Sequence, residues 1–391
     1  MTEKSTPPMG CPITTIDPYA DDFLADRYSG YQQLRDLGSV VWLERYGIAA
    51  LTRHDSVRAA LNDHERFSSS SGQSVCEEFN ERMPENILNT DPPLHEQYRR
   101  PLLVQLTPSA LAPDLEKFDA IASEMTDRLV AATTFDAVRD LTSPYSVRIV
   151  ADLIGLPEEG RDLLGPLGEL AFNLMGPAND RHRAGDEALN QLMGYTLETA
   201  MSGQLCPGTR GADLVEAGLA LALGAYTWPG IDTTVHALSS AILLFAQHPD
   251  QWELLRSDPS MANAAFNEVL RMHSPVQAFT RVTTTSVDID GVVLPEGVRV
   301  AVMYGAANRD ERRYDDPDRF DITRNARDQL AFGRGIHLCV GSHLARAEAA
   351  SLFNALIERV ERFELTAEPQ WSLNNVLHGL ASLPVRIRPA A

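Results

Sequence analysis

The sequence predicts one large domain, mainly α with small β-sheets gathered at one side, spanning residues 1–391 with residues 1–22 as an extended N-terminal arm. Three observations carry this expectation. Apolar residues recur at helical spacing through most of the chain. Alternating Val, Thr and Ile is concentrated in residues 276–304, where Asp290-Gly291 and Pro295-Glu296-Gly297 supply hairpin turn chemistry. No internal repeat, low-complexity tract or exposed linker divides the chain, although ~100–200 residues per domain is the usual size.

The elements follow in order. Residues 1–22 are polar and proline-bearing, with no basic flank leading into an apolar stretch, so they read as an arm and not a secretory signal. Residues 40–44 and 48–52 are short β-prone runs around Tyr46-Gly47, a hairpin. Helices are expected over 56–61, 94–106, 113–132, 144–154, 187–201, 212–247 and 262–272. The Ser-rich stretch from 68 to 89 lacks a period and reads as a long loop, the kind that usually binds something. A polar meander covers 306–329, a helix 341–362, and a last strand pair 373–387.

Composition narrows the function. With 54 acidic residues against 34 Lys and Arg, the formal charge is −20, which argues against nucleic acid as the main partner. The longest nearly apolar run, 217–228, falls short of the ~18–20 residues that cross a bilayer, so no membrane association is expected. Cys11, Cys76, Cys206 and Cys339 lie far apart without a CxxC pair. Neither a disulfide framework nor a structural zinc site is expected, and a reducing cytoplasm fits.

The most informative stretch is Phe332-Gly333-Arg334-Gly335-Ile336-His337-Leu338-Cys339-Val340-Gly341. Its glycines permit a tight turn with open amides immediately before a helix. Partial positive charge and unpaired N–H groups at a helix start favour a cysteine as thiolate. Such a sulfur is a soft-metal ligand or a nucleophile; the plainer alternative is a buried cysteine capping a turn. His337 with Cys339 alone supplies too few ligands for zinc.

The run resembles the haem-ligand loop of the cytochrome P450 family, Phe-Gly-x-Gly-x-His-x-Cys-x-Gly, at every fixed position. The resemblance implies the P450 fold, haem b (iron protoporphyrin IX) as cofactor, and Cys339 as the proximal thiolate on its iron. It also implies that Phe332 shields the sulfur, that Gly335 and Gly341 allow close approach, and that Gly333 is one of the cofactor-binding residues of the loop. A thiolate ligand favours O–O cleavage, so the implied activity is that of an oxidoreductase inserting one atom of O₂ into a C–H bond.

Further motifs fall in the family's order. Glu268 and Arg271, three apart on a helix, are placed to form an ion pair, and the resemblance makes Arg319, in Pro317-Asp318-Arg319-Phe320, their third member. A haem carries two propionates, which need cations when buried. In Asp91-Pro92-Pro93-Leu94-His95-Glu96-Gln97-Tyr98-Arg99, His95 and Arg99 stand an i, i+4 pair on one helix face, and the resemblance assigns them this role with Arg281 and His337. The helix 212–247 is expected to run roughly 50 Å and to kink at Pro229-Gly230, where the freed carbonyl belongs to Ala225. Asp232 and Thr233 beside that kink are implied to relay protons to oxygen. Thr233 bonding back to a carbonyl is the structural alternative, and the two are compatible.

No strand followed by GxGxxG and no cysteine cluster is present, so electrons are expected from a separate ferredoxin and an NAD(P)H-dependent ferredoxin reductase. Arg99, Arg100, Arg334, Arg346 and His343 form the basic patch expected to receive the ferredoxin. The small-molecule pocket is expected between Trp228, Pro229, Val276, Phe279 and Leu377, with the loop 74–89 above. The chain also resembles the bacterial subgroup acting on para-substituted benzoates, whose members hold the carboxylate with Arg and Ser before the distal glycine. Gly224, Ala225 and Trp228 stand there instead, leaving Arg82 as the one remaining anchor. A buried carboxylate without partners costs several kcal/mol, so the expected substrate is a small neutral aromatic, hydroxylated or O-demethylated. The alternatives are a terpenoid or secondary-metabolite intermediate and, from another class, a peroxide-driven peroxygenase or a haem sensor.

Overall fold

Hairpin formation at 40–51 seeds the larger sheet: Val40–Leu43 and Ile48–Leu51 pair antiparallel with Val41 opposite Ala50, and both strands are buried throughout. The computed structural model describes residues 6–390. Residues 1–5 of the expected arm lie outside them. Within the arm, Ile13–Thr14 adds parallel to Trp42 and Leu43. The full order is Ile13–Thr14, Val40–Leu43, Ile48–Leu51, Arg299–Met303, Ala278–Thr283, Phe67–Ser68. Val287–Ile289 and Val292–Leu294 form the expected tight hairpin. Its central residues, Asp290 at φ 52° and Gly291 at φ 85°, take the left-handed pair a two-residue turn requires.

Helices build the remainder. Leu115–Ala132, Ser143–Ile154, Asp232–Gln247, Ala262–Met272 and Ser342–Arg359 contribute buried residues to one continuous core. Asp232–Gln247 is its axis, with every residue from Asp232 to Phe245 buried except Thr233. A helix enclosed on all sides has no polar face to reveal a period.

Three expectations are corrected. The helix expected over 212–247 is broken into Arg210–Glu216, a 3₁₀ turn Ala220–Leu223, Gly224–Thr227 and Asp232–Gln247. Gly218 at φ 75° ends the first piece, as a left-handed residue does at a helix C-terminus, and Pro229-Gly230 interrupts the rest. The loop 68–89 contains a helix, Glu77–Arg82, too short to show a period. The tail strands Leu380–Ser382 and Pro384–Pro389 do not pair with one another. The first joins Gln370–Trp371, and the second lies between Val360–Leu365 and Thr134–Asp136. Helices Asp21–Ala25, Arg27–Leu37 and Leu164–Ala171 were not legible in the sequence.

Candidate active site

The cysteine loop is shaped by two left-handed glycines, Gly333 at φ 67° and Gly335 at φ 66°. A side chain at Gly335 would also strike the Leu61 carbonyl at 2.4 Å. Gly341 is less constrained, since an added Cβ would lie 3.9 Å from Cys339 Sγ, an ordinary contact. The Cys339 amide donates to the Phe332 carbonyl at 2.8 Å, closing the loop. The following helix begins at Ser342, with Gly341 as its N-cap.

Cys339 is exposed by area yet lies deep within the protein, where burial raises its thiol pKa. Both hold if the sulfur forms the floor of an internal cleft. The Gly341 amide, Arg99 and Arg346 oppose the burial effect in turn. Arg346 stacks over Phe332, its guanidinium carbon 5.0 Å from the ring centre.

Around that cleft His95 and His337 stand with ring centres 4.5 Å apart, and Nε2 of each is buried without a partner. Burial pushes His337 down to about 2, with Arg281, His95 and Arg99 adding to the effect; burial and Arg99 lower His95. Burial first, and then the nearby arginines, disfavour the charged form of both imidazoles. Arg99 donates to the Leu338 carbonyl at 2.7 Å, and Arg281 is 4% exposed. Two orphaned ring nitrogens, two arginines and an inward-facing sulfur fit a flat dianion whose metal is bound by sulfur. The residues suit haem.

Glu268 and Arg271 are both fully buried. The guanidinium grips the carboxylate through Nε–Oε2 at 2.7 Å and Nη2–Oε1 at 2.8 Å, and donates to the Asn308 and Pro317 carbonyls. The expected third member, Arg319, is corrected. Its side chain is 62% exposed and bonds Asp321, while only its carbonyl meets Arg271. Arg324 takes the place instead, reaching Glu268 Oε1 at 3.2 Å. Sequence order could not separate these arginines, because the chain turns back between them.

On the other side of the helix break, Thr233 Oγ1 donates to the Pro229 carbonyl at 2.8 Å. Glycine is needed at 230, where a Cβ would lie 2.4 Å from the Tyr226 carbonyl. Asp232 is 4% exposed and its Oδ2 has no partner; burial, then Glu169, hold its carboxyl well above the usual range. Glu169 and His236, both beside this acid, were missed by sequence reasoning, since neither belongs to a motif.

Of the expected lining, Trp228 is buried against Phe172 at 5.7 Å between ring centres, and its Nε1 has no partner. Val276 bridges to Leu377, and Phe279 packs edge-on to Tyr304. Arg82 is not a free anchor: its Nη1 bonds Asp186 Oδ2 at 3.0 Å. The long loop borders a cavity of about 570 Å³ lined by Glu77, Asn80, Glu81, Met83 and Glu85 among others. That groove is bordered by the expected loop but includes none of Trp228, Pro229, Val276, Phe279 and Leu377. Beside the cysteine helix a second cavity of about 430 Å³ is lined by Leu111, Phe266, His343 and Arg346 among others.

No described helix is long and apolar enough to cross a membrane. Residues 208–389 match the family model "Cytochrome P450". The chain is 36% identical to cytochrome P450 CYP199A2 of Rhodopseudomonas palustris over its whole length and 98% of the relative's. It is 29% identical to the beta-dihydromenaquinone-9 omega-hydroxylase of Mycobacterium tuberculosis, over 96% of this chain and 79% of that one. Among solved structures, P450BioI in complex with a hexadec-9Z-enoic acid ligated acyl carrier protein superposes with a TM-score of 0.84 at 26% identity, covering 94% of this chain and all of that one. CYP109Q5 from Chondromyces apiculatus gives 0.81 at 28% identity, covering 96% and 98%. With a relative of 36% identity aligned along all of its residues and a glycine-framed cysteine whose sulfur is exposed by area yet deep in the protein, the chain belongs to the cytochrome P450 family and is a monooxygenase of it.

Proposed function

We propose that this enzyme hydroxylates or O-demethylates a small neutral aromatic, taking electrons from a separate ferredoxin and its NAD(P)H-dependent reductase. What supports the substrate class is the chemistry of the residues expected to line the pocket. Trp228, Pro229, Val276, Phe279 and Leu377 offer apolar surface and a single side-chain donor, the unpaired indole N–H of Trp228. Arg82, the one basic group in reach by sequence, is committed to Asp186. A carboxylate would enter such a pocket unpaired at a cost of several kcal/mol, whereas an ether or phenol oxygen would satisfy the indole.

In this reading Cys339 ligates the haem iron, and His95, Arg99, Arg281 and His337 hold the propionates. Bound haem supplies thiolate-ligated iron for reducing dioxygen. Everything else is done by the chain. The aromatic and aliphatic lining excludes water and holds the substrate. Asp232, whose protonated form burial favours, holds a proton, and Thr233, anchored on the Pro229 carbonyl at rest, turns to pass it on. Proton transfer by positioned groups is worth ~10²–10⁴-fold. Glu268, Arg271 and Arg324 keep the meander packed behind the cysteine loop. A cytoplasmic location suits a partner-dependent enzyme of this kind.

The test is a panel of methoxyarenes, phenols, para-substituted benzoates and monoterpenes, scored by the shift of the haem from low to high spin. Neutral aromatics should give the largest shift, and products should form with ferredoxin and NAD(P)H but not with peroxide alone. Benzoates binding as tightly as their methyl esters, or peroxide supporting full turnover, would overturn the reading.

A further inference from the structure

The Asp232 carboxyl meets the helix Leu164–Ala171 at its glycines. A Cβ on Gly168 would fall 2.0 Å from Asp232 Oδ2, and one on Gly165 would lie 3.9 Å from Oδ1. Glycine at 168 thus leaves the space the carboxyl occupies. The next residue, Glu169, is half-buried; its Oε1 accepts from Ser372 Oγ, and its carbonyl accepts from Asn374 Nδ2 at 2.7 Å. One turn beyond Asp232, His236 is 2% exposed with neither ring nitrogen paired. Its Nδ1 lies 1.9 Å from where a Cβ on Gly379 would stand.

A buried acid and a buried imidazole on one helix therefore share one carboxylate that reaches toward water. Glu169 is the charged group acting on both, and no Lys or Arg among the described residues does so. Burial lowers the His236 pKa, so it adds no positive charge. Beyond it lies His378, facing Arg27, His273 and Arg309. From the helix Ser143–Ile154, Ser143 faces Gly165. With no cation opposite, like charge and burial both favour the protonated acid.

We propose that Glu169 is a positioning residue for Asp232, returning a proton to it from the solvent side across the Gly165 and Gly168 contact after each turnover. The proposal rests on the reading of Asp232 and Thr233 as proton donors. In the step, the Glu169 O–H bond breaks and an O–H bond forms on Asp232. The Glu169 carboxylate then takes a proton from hydronium or a buffer acid, and nothing is oxidised or reduced. Between turnovers the Glu169 charge keeps Asp232 loaded.

The experiment compares the wild-type holoenzyme with Glu169→Gln, Glu169→Asp, Asp232→Asn and Thr233→Ala. The infrared band of the protonated carboxyl that Asp232→Asn removes is titrated in each. In Glu169→Gln its midpoint should fall by about one pH unit or more, Glu169→Asp should restore it, and the solvent deuterium isotope effect on product formation should rise about twofold. Gln still accepts from Ser372, so the helix contact survives. Should Glu169→Gln not fold, Gly168→Ala, whose Cβ displaces the acid, must shift the same band. An unchanged midpoint or isotope effect in Glu169→Gln, while Asp232→Asn and Thr233→Ala divert electrons to peroxide, overturns this proposal alone. Full coupling in Asp232→Asn and Thr233→Ala overturns the donor reading beneath it.

Discussion

Replacing Glu268 by Gln separates the buried ion pair from the exposed one that sequence order suggested. Glu268 and Arg271 are both without solvent exposure, and Glu268 Oε1 also accepts from Arg324 Nε and the Asp321 amide, each at 3.2 Å. Gln keeps the shape but removes the charge, leaving the Arg271 guanidinium buried with only neutral acceptors. Breaking a buried pair in this way costs ~3–5 kcal/mol, a large share of the ~5–15 kcal/mol that holds a folded domain. Arg319→Ala removes a side chain that is 62% exposed and bonds only Asp321, so it should cost under ~1 kcal/mol. Arg324→Ala, losing one contact to the carboxylate and three to the Asp315, Asp316 and Arg319 carbonyls, should fall between. Urea unfolding followed by tryptophan fluorescence measures all three, with an unchanged slope showing that the midpoint reports stability. Equal losses in Glu268→Gln and Arg319→Ala would refute the assignment of Arg324 as the third partner.

Cys339→Ala should abolish the strongly red-shifted Soret band of the reduced carbon monoxide complex; retention of that band would place the ligand elsewhere. Thr233→Ala should bind substrate normally and still consume NAD(P)H while releasing peroxide, because the hydroxyl that bonds Pro229 is lost; a fully coupled mutant contradicts its role. Reversing exposed Arg100 to Glu should raise the ferredoxin concentration for half-maximal turnover at low salt, where surface charge is least screened, without weakening substrate binding. Glu348→Gln tests linkage: burial pushes this carboxyl up to about 8, and neither oxygen has a hydrogen-bond partner. A raised acid contributes full stability below its unfolded pKa and loses it as pH rises to the folded value. The Gln variant should therefore gain on wild type from about pH 4.5 to about 8 and match it below; a constant difference across that range refutes the buried, protonated acid.

What the sequence revealed follows from the range of the forces involved. The cysteine loop was legible because backbone geometry writes itself locally: left-handed φ at Gly333 and Gly335 demands glycine whatever surrounds it. The hairpin at Asp290-Gly291 was legible for the same reason. Helix Ala262–Met272 emerged at its expected limits because its apolar residues keep a helical period, even though Ala265 to Met272 are all buried. Leu164–Ala171 did not, since two of its buried positions are glycines chosen for the carboxyl lying on them, and these break the apolar stripe. The expected length of 212–247 fails because apolar content does not mark where a helix ends, which Gly218 and Pro229-Gly230 do.

Longer-range electrostatics left no trace in the sequence, and the site depends on it. Arg319 and Arg324 differ in nothing that spacing reports, yet one is largely exposed and the other reaches a fully buried carboxylate. The resemblance assigns His95 and His337 as propionate partners, while burial first, and then Arg99 for both and Arg281 for His337, disfavours their charged forms. Positive charge already fixed on two arginines makes a second pair of cations costly, and neutral imidazoles still donate hydrogen bonds. The same reasoning separates the two acids of the core. Asp232 and Glu348 are both buried with unpartnered oxygens, but only Asp232 has a second, half-exposed carboxylate beside it. On the proposed reading that neighbour would give Asp232 an exchange route to water, whereas no carboxylate is among the groups acting on Glu348.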